Sequence, residues 1–516
     1  MSDDGSFSQA GVHRRFLEGA ASKMLSLGVT FGEQILLVPV FLFYWGRESY
    51  GDWLALLSVG SFIAVLDLGL QGYYGNALQL AWARGQRDAF ARMLRQSLAI
   101  YAVLVLTAVP VAIVVGPLAP WPSLLNLAHM PATTAATAMT LIALAIITAV
   151  PFGVILGLYR AHGDFALGVF FVLLQRLVLI GLTVAGLWLG AGAVILATIH
   201  LAVGIVGWAV ALAHQRRRYP HVVPGFERPT MADLRKLAGI APFYALMPAA
   251  MAFSVHGTVI LIAGLAGAGG AVVVYTTLRT LTGLSRAVTD QLSHVAGVEL
   301  ARQYAQDDME ALRRMYRFAG RLAGGMAGAV SGMIAGFGAP FLAIWTLGRV
   351  PFDPMVFWPL LAAAALSGPT LAGNSMLYFI NRPRGLAATH LAGGLVTLGL
   401  AALLVPRLGA AGAAIGLLTA ELAVVSVAVS ILAARVAGLP ALRRIVVTQG
   451  CAAVAFATSA ALAWGAIGLT GSDSLARLVV AGVLWLVVVP WPLVFVLFNA
   501  GQRRWIRDRI ARRLRR

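Results

Sequence analysis

Arg279 and Arg286 stand seven residues apart in the stretch AVVVYTTLRTLTGLSRAVTDQLS. Seven residues make about two helical turns, so both guanidinium groups share one helical face, with Thr282 and Gly283 between them. A planar, permanently charged fork suits phosphate better than the point charge of lysine. Such a face could hold an anionic group. Isolated acids lie elsewhere in apolar surroundings: Glu33 beside Gln34, Asp67, and Glu421, with Arg176 a further lone cation. An ionisable group in hydrocarbon costs at least about 2.5–3.5 kcal/mol, so each needs a partner or a water-filled cavity. A buried carboxylate with a raised pKa is a proton or sodium site. Glu33, Asp67 or Asp290 could instead serve as counter-ions to Arg279 and Arg286. For Arg176 and Glu421, functional and packing roles stand equal.

These residues are placed by apolar helices. Of 516 residues, 59% are hydrophobic and 11% charged, with mean hydropathy +0.83. A soluble domain carries about 25% charged residues to cover its surface, so lipid must cover most of this one. No Asp, Glu, Lys or Arg occurs from Gln96 to Tyr159 or from Leu237 to Leu278. A span needs about 20 apolar residues, so each run holds two spans. The alternation of period two that marks membrane barrels is absent. The expected class is an all-α polytopic membrane protein and not an enzyme. The net charge of +19 sits in short loops, where it sets topology and does not bind nucleic acid. Cys451 is the sole cysteine, so neither a disulfide framework nor a cysteine-based metal site is expected. His200 and His256 have no neighbours at ligand spacing, and no metal or other cofactor is expected, beyond coupling to H+ or Na+. Asn374 reads as an interhelical hydrogen bond, and LAGAGG (265–270) as a tight turn.

Fourteen spans are predicted, beginning at 24–45 and 50–72, with 238–262 and 268–292 as the seventh and eighth, and ending at 445–467 and 476–498. With both termini in the cytoplasm, outside loops hold only Arg47, Arg349, Arg407 and Arg477. Arg176, Arg279 and Arg286 lie within spans, and the other 32 of 39 Lys and Arg fall inside, as the positive-inside rule requires. The first span is expected to act as an uncleaved signal-anchor. LQLAWARGQRDAFA (78–91) aligns without gaps on VELARQYAQDDMEA (298–311) at an offset of 220, with Leu80, Ala81, Gln86, Asp88 and Ala91 recurring. Chance similarity of two amphipathic loop helices would read the same way. As a repeat, it makes two parallel six-span lobes related by an axis along the membrane normal. The expected organisation is a cytoplasmic segment 1–23, an N-lobe 24–213, a cytoplasmic linker 214–237, a C-lobe 238–433, two further helices over 434–498, and a basic amphipathic tail 499–516 suited to anionic membrane lipid.

Trp45-Gly46, Tyr50-Gly51-Asp52-Trp53 and Leu66-Asp67-Leu68-Gly69-Leu70 resemble the opening of Wzx-type O-antigen and polysaccharide flippases of the multidrug/oligosaccharidyl-lipid/polysaccharide (MOP) exporter superfamily. GLYRAHGDF (157–165) is similar to that family's turn between spans 4 and 5, and LGAAGAAIGLLTAELAVV (408–425) to its small-residue twelfth span. The resemblance implies two lobes around a cavity lined by spans 1, 2, 7 and 8. Alternating access would carry a lipid-linked oligosaccharide, a lipopolysaccharide or polysaccharide precursor, across a bacterial inner membrane. Arg279, Arg286 and Thr282 would then meet the phosphate of that substrate. Asp67 would face the arginines, and Tyr73 and Tyr74 would stack on sugar rings, unless they form an interfacial belt. Glu33, Asp67, Glu421 and Arg176 are the ion-coupling candidates. A polysaccharide polymerase or its chain-length machinery is an expected partner. A lipid II flippase or drug/cation antiporter of the same superfamily is the alternative. Drug exporters commonly have twelve spans, and short outer loops weigh against a membrane glycosyltransferase.

Overall fold

The computed structural model describes residues 9–67, 69–380 and 382–497; the basic tail over 499–516 lies outside them. Among the described residues all regular structure is helical. The chain divides into two units, Met1–Ala252 and Phe253–Arg516. The first holds α1 (Gln9–Ile63), a 3-10 turn (Ala64–Asp67), α2 (Leu70–Ala83), α3 (Arg87–Leu118), α4 (Trp121–Leu124), α5 (Ala132–Ala149), α6 (Phe152–Ala161), α7 (Phe165–Trp188), α8 (Ala193–Arg218) and α9 (Met231–Ala252). The second holds a π-helical turn (Phe253–Gly257), α10 (Thr258–Ala266), α11 (Gly270–Ala305), α12 (Met309–Trp345), α13 (Pro354–Phe379), α14 (Pro383–Leu408), α15 (Ala410–Ala420), a second π turn (Glu421–Ser426), α16 (Val427–Ala437), α17 (Ala441–Thr470), α18 (Leu475–Val488) and α19 (Pro490–Leu497). The division at Phe253 falls inside the span expected over 238–262, because α9 packs on α1 and α2.

Among the described residues, twelve helices are long and apolar enough to cross a membrane, against fourteen expected. The expected spans 24–45 and 50–72 fall in one segment, Gly28–Asp67, broken only at Gly46 (φ 73°, ψ 178°). That backbone region is essentially closed to residues with a Cβ, which is why glycine follows Trp45. The expected eighth span lies in α11, which is not among the twelve; Arg279, Arg286, Asp290 and a run of threonines make it too polar.

The two segments of the expected repeat end in turns with the same hydrogen-bond pattern, in a register that differs from the gapless alignment. Around the first turn, backbone N–H groups of Arg84, Gly85, Gln86, Arg87 and Phe90 donate to Leu80, Trp82, Ala81, Gly85 and Gln86. Around the second, those of Gln306, Asp307, Asp308, Met309 and Leu312 donate to Arg302, Tyr304, Gln303, Asp307 and Asp308. Every pair is offset by 222, not 220. Leu78 and Leu300 are both fully buried at this offset, and Gly85 and Asp307 both take positive φ (71° and 56°). The same pattern recurs where His162, Gly163 and Asp164 donate to Leu158, Arg160 and Tyr159, so it is a general way of ending a helix, and the two-lobe repeat stays an expectation.

In the second unit, α12 carries Gly320, Gly324, Gly328, Gly332 and Gly336, one every four residues and so on one face. A Cβ at these positions would meet, in order, Arg444, the Thr448 carbonyl, the Ala452 carbonyl, the Phe456 carbonyl and Ala463. All belong to α17, so the two backbones run in contact, the small-residue packing of membrane helices. Elsewhere in the unit, Gly412 and Gly416 in the stretch LGAAGAAIGLL bring α15 against the backbone of α14 in the same way.

Candidate functional site

α11 packs against α10, α12, α13 and α15 and presents both arginines. Arg279 is half-buried, and its Nη1 donates to the carbonyls of Ser254 (2.9 Å) and Val255 (3.3 Å) and to the hydroxyls of Thr258 and Tyr275 (both 3.3 Å). Ser254 and Val255 lie in the first π turn. A π turn interrupts the regular i to i−4 ladder, and such turns concentrate at functional sites. Carbonyls there are open to a side-chain donor, and Arg279 takes them. Arg286 pairs with Glu421, Nη1 to Oε2 at 3.3 Å. Glu421 opens the second π turn. Both arginines of one face are therefore anchored on distorted turns of neighbouring helices. Their partners are neither Glu33, Asp67 nor Asp290, as the sequence suggested.

The Arg286 side chain is 44% exposed and that of Glu421 only 7%. Glu421 Oε1 is buried with no hydrogen-bond partner. One carboxylate oxygen is thus held by the arginine and the other is enclosed without a donor. Thr282, expected to present its hydroxyl between the arginines, is 2% exposed and donates to the Leu278 carbonyl at 2.9 Å. Asn374 Oδ1 accepts from His390 Nε2 at 2.7 Å, an interhelical bond as expected.

The remaining candidates lie in the first unit. Glu33 pairs with Arg176, whose Nη1 also donates to Thr30 Oγ1 at 2.9 Å, joining α1 to α7. These two lone charges of the sequence satisfy each other. Asp67 accepts from the Tyr101 hydroxyl at 2.8 Å and from the Gln71 backbone. Tyr74 is buried in the cluster of Leu70, Leu78, Phe90 and Tyr101, with half-buried Tyr73 edge-on to it at 5.1 Å. Tyr74 is thus core, not a stacking platform. The motif Tyr50-Gly51-Asp52-Trp53 also has a structural role. Asp52 is fully buried and accepts from the His129 backbone at 3.0 Å, fastening the 118–132 loop, while Trp53 packs on Trp45.

Sequence reading missed an aromatic–histidine cluster at the Arg-rich end of this unit. His162 Nδ1 bonds the Leu158 carbonyl (2.8 Å) and its Nε2 meets His221 Nε2 at 3.1 Å. Trp82 and Tyr219 flank the ring at 4.0 and 4.1 Å. Only one proton fits between the two Nε2 atoms. Burial holds His162 below its ordinary pKa of 6.5, helped by His221 and Arg87 and opposed by the Leu158 carbonyl and Asp164. The unfolded chain then binds more protons just below pH 6.5, so stability falls as pH drops through that value. Melting temperature in detergent is expected to decline between pH 7.5 and 5.5, with a shallower decline in His162→Gln.

No protein-family model and no curated protein matches the sequence. Solved structures do match. A multidrug resistance MATE family transporter of the MOP superfamily superposes in its inward-facing conformation with TM-score 0.58 at 17% identity, over 81% of this chain and 98% of that one. In its outward-facing conformation the values are 0.54 and 17%, over 84% and 94%. The lipid II flippase MurJ in an inward closed conformation superposes with TM-score 0.64 at 10% identity, over 93% of this chain and 99% of that one. The chain has the all-helical fold of MOP superfamily transporters. Its structural neighbours are carriers, at sequence identities too low to carry substrate.

Proposed function

We propose that this chain is a membrane carrier that flips a lipid-linked oligosaccharide between leaflets by alternating access, as the Wzx-type resemblance implies. Its setting is a bacterial inner membrane, with both termini cytoplasmic. The observation that carries the reading is the α11 face. Two permanently charged arginines stand among helices apolar enough to span a membrane, and one of them, Arg286, keeps its side chain 44% exposed beside a single buried acid. Charged groups retained at such depth mark a substrate path, and arginine's fork favours phosphate. Glu421, with one oxygen free, is the proton-coupling group. Arg279, held by neutral carbonyls, keeps a net positive charge for the pyrophosphate of the cargo.

A second reading, a lipid II flippase, is favoured by one observation: MurJ superposes on 93% of the chain, the inward-facing MATE transporter on 81%. Both cargoes are pyrophosphate-linked lipids, and both leave the α11 face in the same role. Reconstitution in vesicles decides. Purified protein should expose a fluorescent lipid-linked oligosaccharide to an external glycosidase in a time-dependent way, faster under an imposed pH gradient. Exposure of lipid II alone would select the second reading, and exposure of neither would end both.

A further inference from the structure

The first unit contains a chamber of about 210 Å³ that the carrier reading does not use. Leu94 and Leu98 of α3, Ile155 of α6 and Trp208 and Leu212 of α8 wall it, and the segment after α8 closes it with Val222 and Phe226. An apolar cavity of about 150 Å³ already takes benzene, so this one has room for a stretch of hydrocarbon chain. Polar groups interrupt the apolar lining, among them Trp208 Nε1, buried with no partner. Gln215 is 4% exposed; its Nε2 donates to the Ile155 carbonyl while its Oε1 is buried with no partner. Arg216 lies at the rim. Its neighbour Arg218 pairs with Asp164, and Arg95 with Glu227, whereas Arg216 has no carboxylate partner among the described residues.

α8 is one of the helices fit to cross a membrane, and its last turn carries Arg216, Arg217 and Arg218. The eight residues from Arg216 back to Trp208 span about 12 Å of helix. The chamber therefore offers an anion site at one end, a hydrogen-bond acceptor beside it, and an apolar pocket running inward, in the order in which a lipid presents phosphate, hydroxyl and chain. We infer that this chamber binds one molecule of phosphatidylglycerol. Its phosphate meets Arg216, a glycerol hydroxyl donates to Gln215 Oε1, and an acyl chain lies along Leu98 and Leu212 towards Trp208. A zwitterionic lipid would set its own ammonium against Arg216 and its neighbours, and phosphatidic acid lacks the glycerol hydroxyl.

Brominated acyl chains quench indole fluorescence on contact, so Trp208 reports occupancy. The full-length protein would be placed in nanodiscs titrated with brominated phosphatidylglycerol, brominated phosphatidylcholine or brominated phosphatidic acid. Trp208→Phe supplies the fluorescence of the other tryptophans. The expected result is a saturable Trp208 component with phosphatidylglycerol, half-saturating at about tenfold higher lipid in Arg216→Ala and in Gln215→Leu, the size of a lost charged or buried hydrogen bond. Arg216→Lys should retain most of the binding. Equal quenching by phosphatidylcholine would reduce the contact to ordinary boundary lipid and overturn the site. Equal quenching by phosphatidic acid would remove the role given to Gln215. No difference between wild type and Trp208→Phe would mean that lipid does not enter at all.

Discussion

Arg286→Ala is expected to lower surface export of the lipid-linked glycan by about 10- to 100-fold, the effect of losing a charged hydrogen bond to the moving group. The single substitution also strands Glu421, 7% exposed and bound to Arg286 at 3.3 Å. Removing one partner of a buried ion pair costs about 3–5 kcal/mol, and here the lower end applies because the arginine is 44% exposed. Part of the loss would therefore be loss of protein from the membrane. Arg286→Ala/Glu421→Gln separates the two effects: with the acid neutralised, protein should return to wild-type abundance while export stays down. Arg286→Lys keeps charge but not the planar fork, and should fold normally with export reduced. Immunoblots of the membrane fraction beside surface-glycan gels give both readouts. Wild-type export in the double variant would make Arg286 a counter-ion and nothing more.

Gly328→Val is expected to unfold the second unit at a temperature lower by roughly 10 °C, or to remove the protein from the membrane altogether. A Cβ at Gly328 would overlap the carbonyl of Ala452 and crowd the backbone N–H of Phe456. Overpacking against side chains costs about 1–3 kcal/mol; backbone has no rotamer in which to escape, so the upper end applies. At about 2–4 °C per kcal/mol for a unit of this size, that gives the stated shift. The helices α12 and α17 would have to separate along their length, carrying the register of the whole glycine stripe with them. Gly465→Val, on α17 with nothing within 4 Å of its Cβ, is the control, with melting unchanged within about 2 °C. Thermal melting in detergent, followed by fluorescence, reads both. A Gly328→Val protein that melts with the wild type would mean the two helices are not in backbone contact.

Polarity and periodicity settled much on their own. Runs such as Leu237 to Leu278, without a single charge, admit only membrane helices, because nothing in hydrocarbon satisfies a bare backbone. The seven-residue spacing of Arg279 and Arg286 places them on one face of any helix, and the five glycines from Gly320 to Gly336 were equally open to reading by their spacing of four. The all-helical membrane fold follows from such local features summed over a long chain.

Partners were another matter. Arg176 and Glu33 are 143 residues apart, Arg286 and Glu421 135. Local rules act within a few turns and carry no information about which distant acid meets which base. The acids nearest by expectation, Asp67 and Asp290, yielded to Glu421 because the second π turn brings its carboxylate to α11. The anchoring of Arg279 on main-chain carbonyls was invisible for the same reason: a π turn is a choice of backbone register made under tertiary packing, with no residue type that announces it. Sequence decided that charges must be housed inside a lipid-covered helical protein; only the packing of one helix on another decided which of them remain free to act.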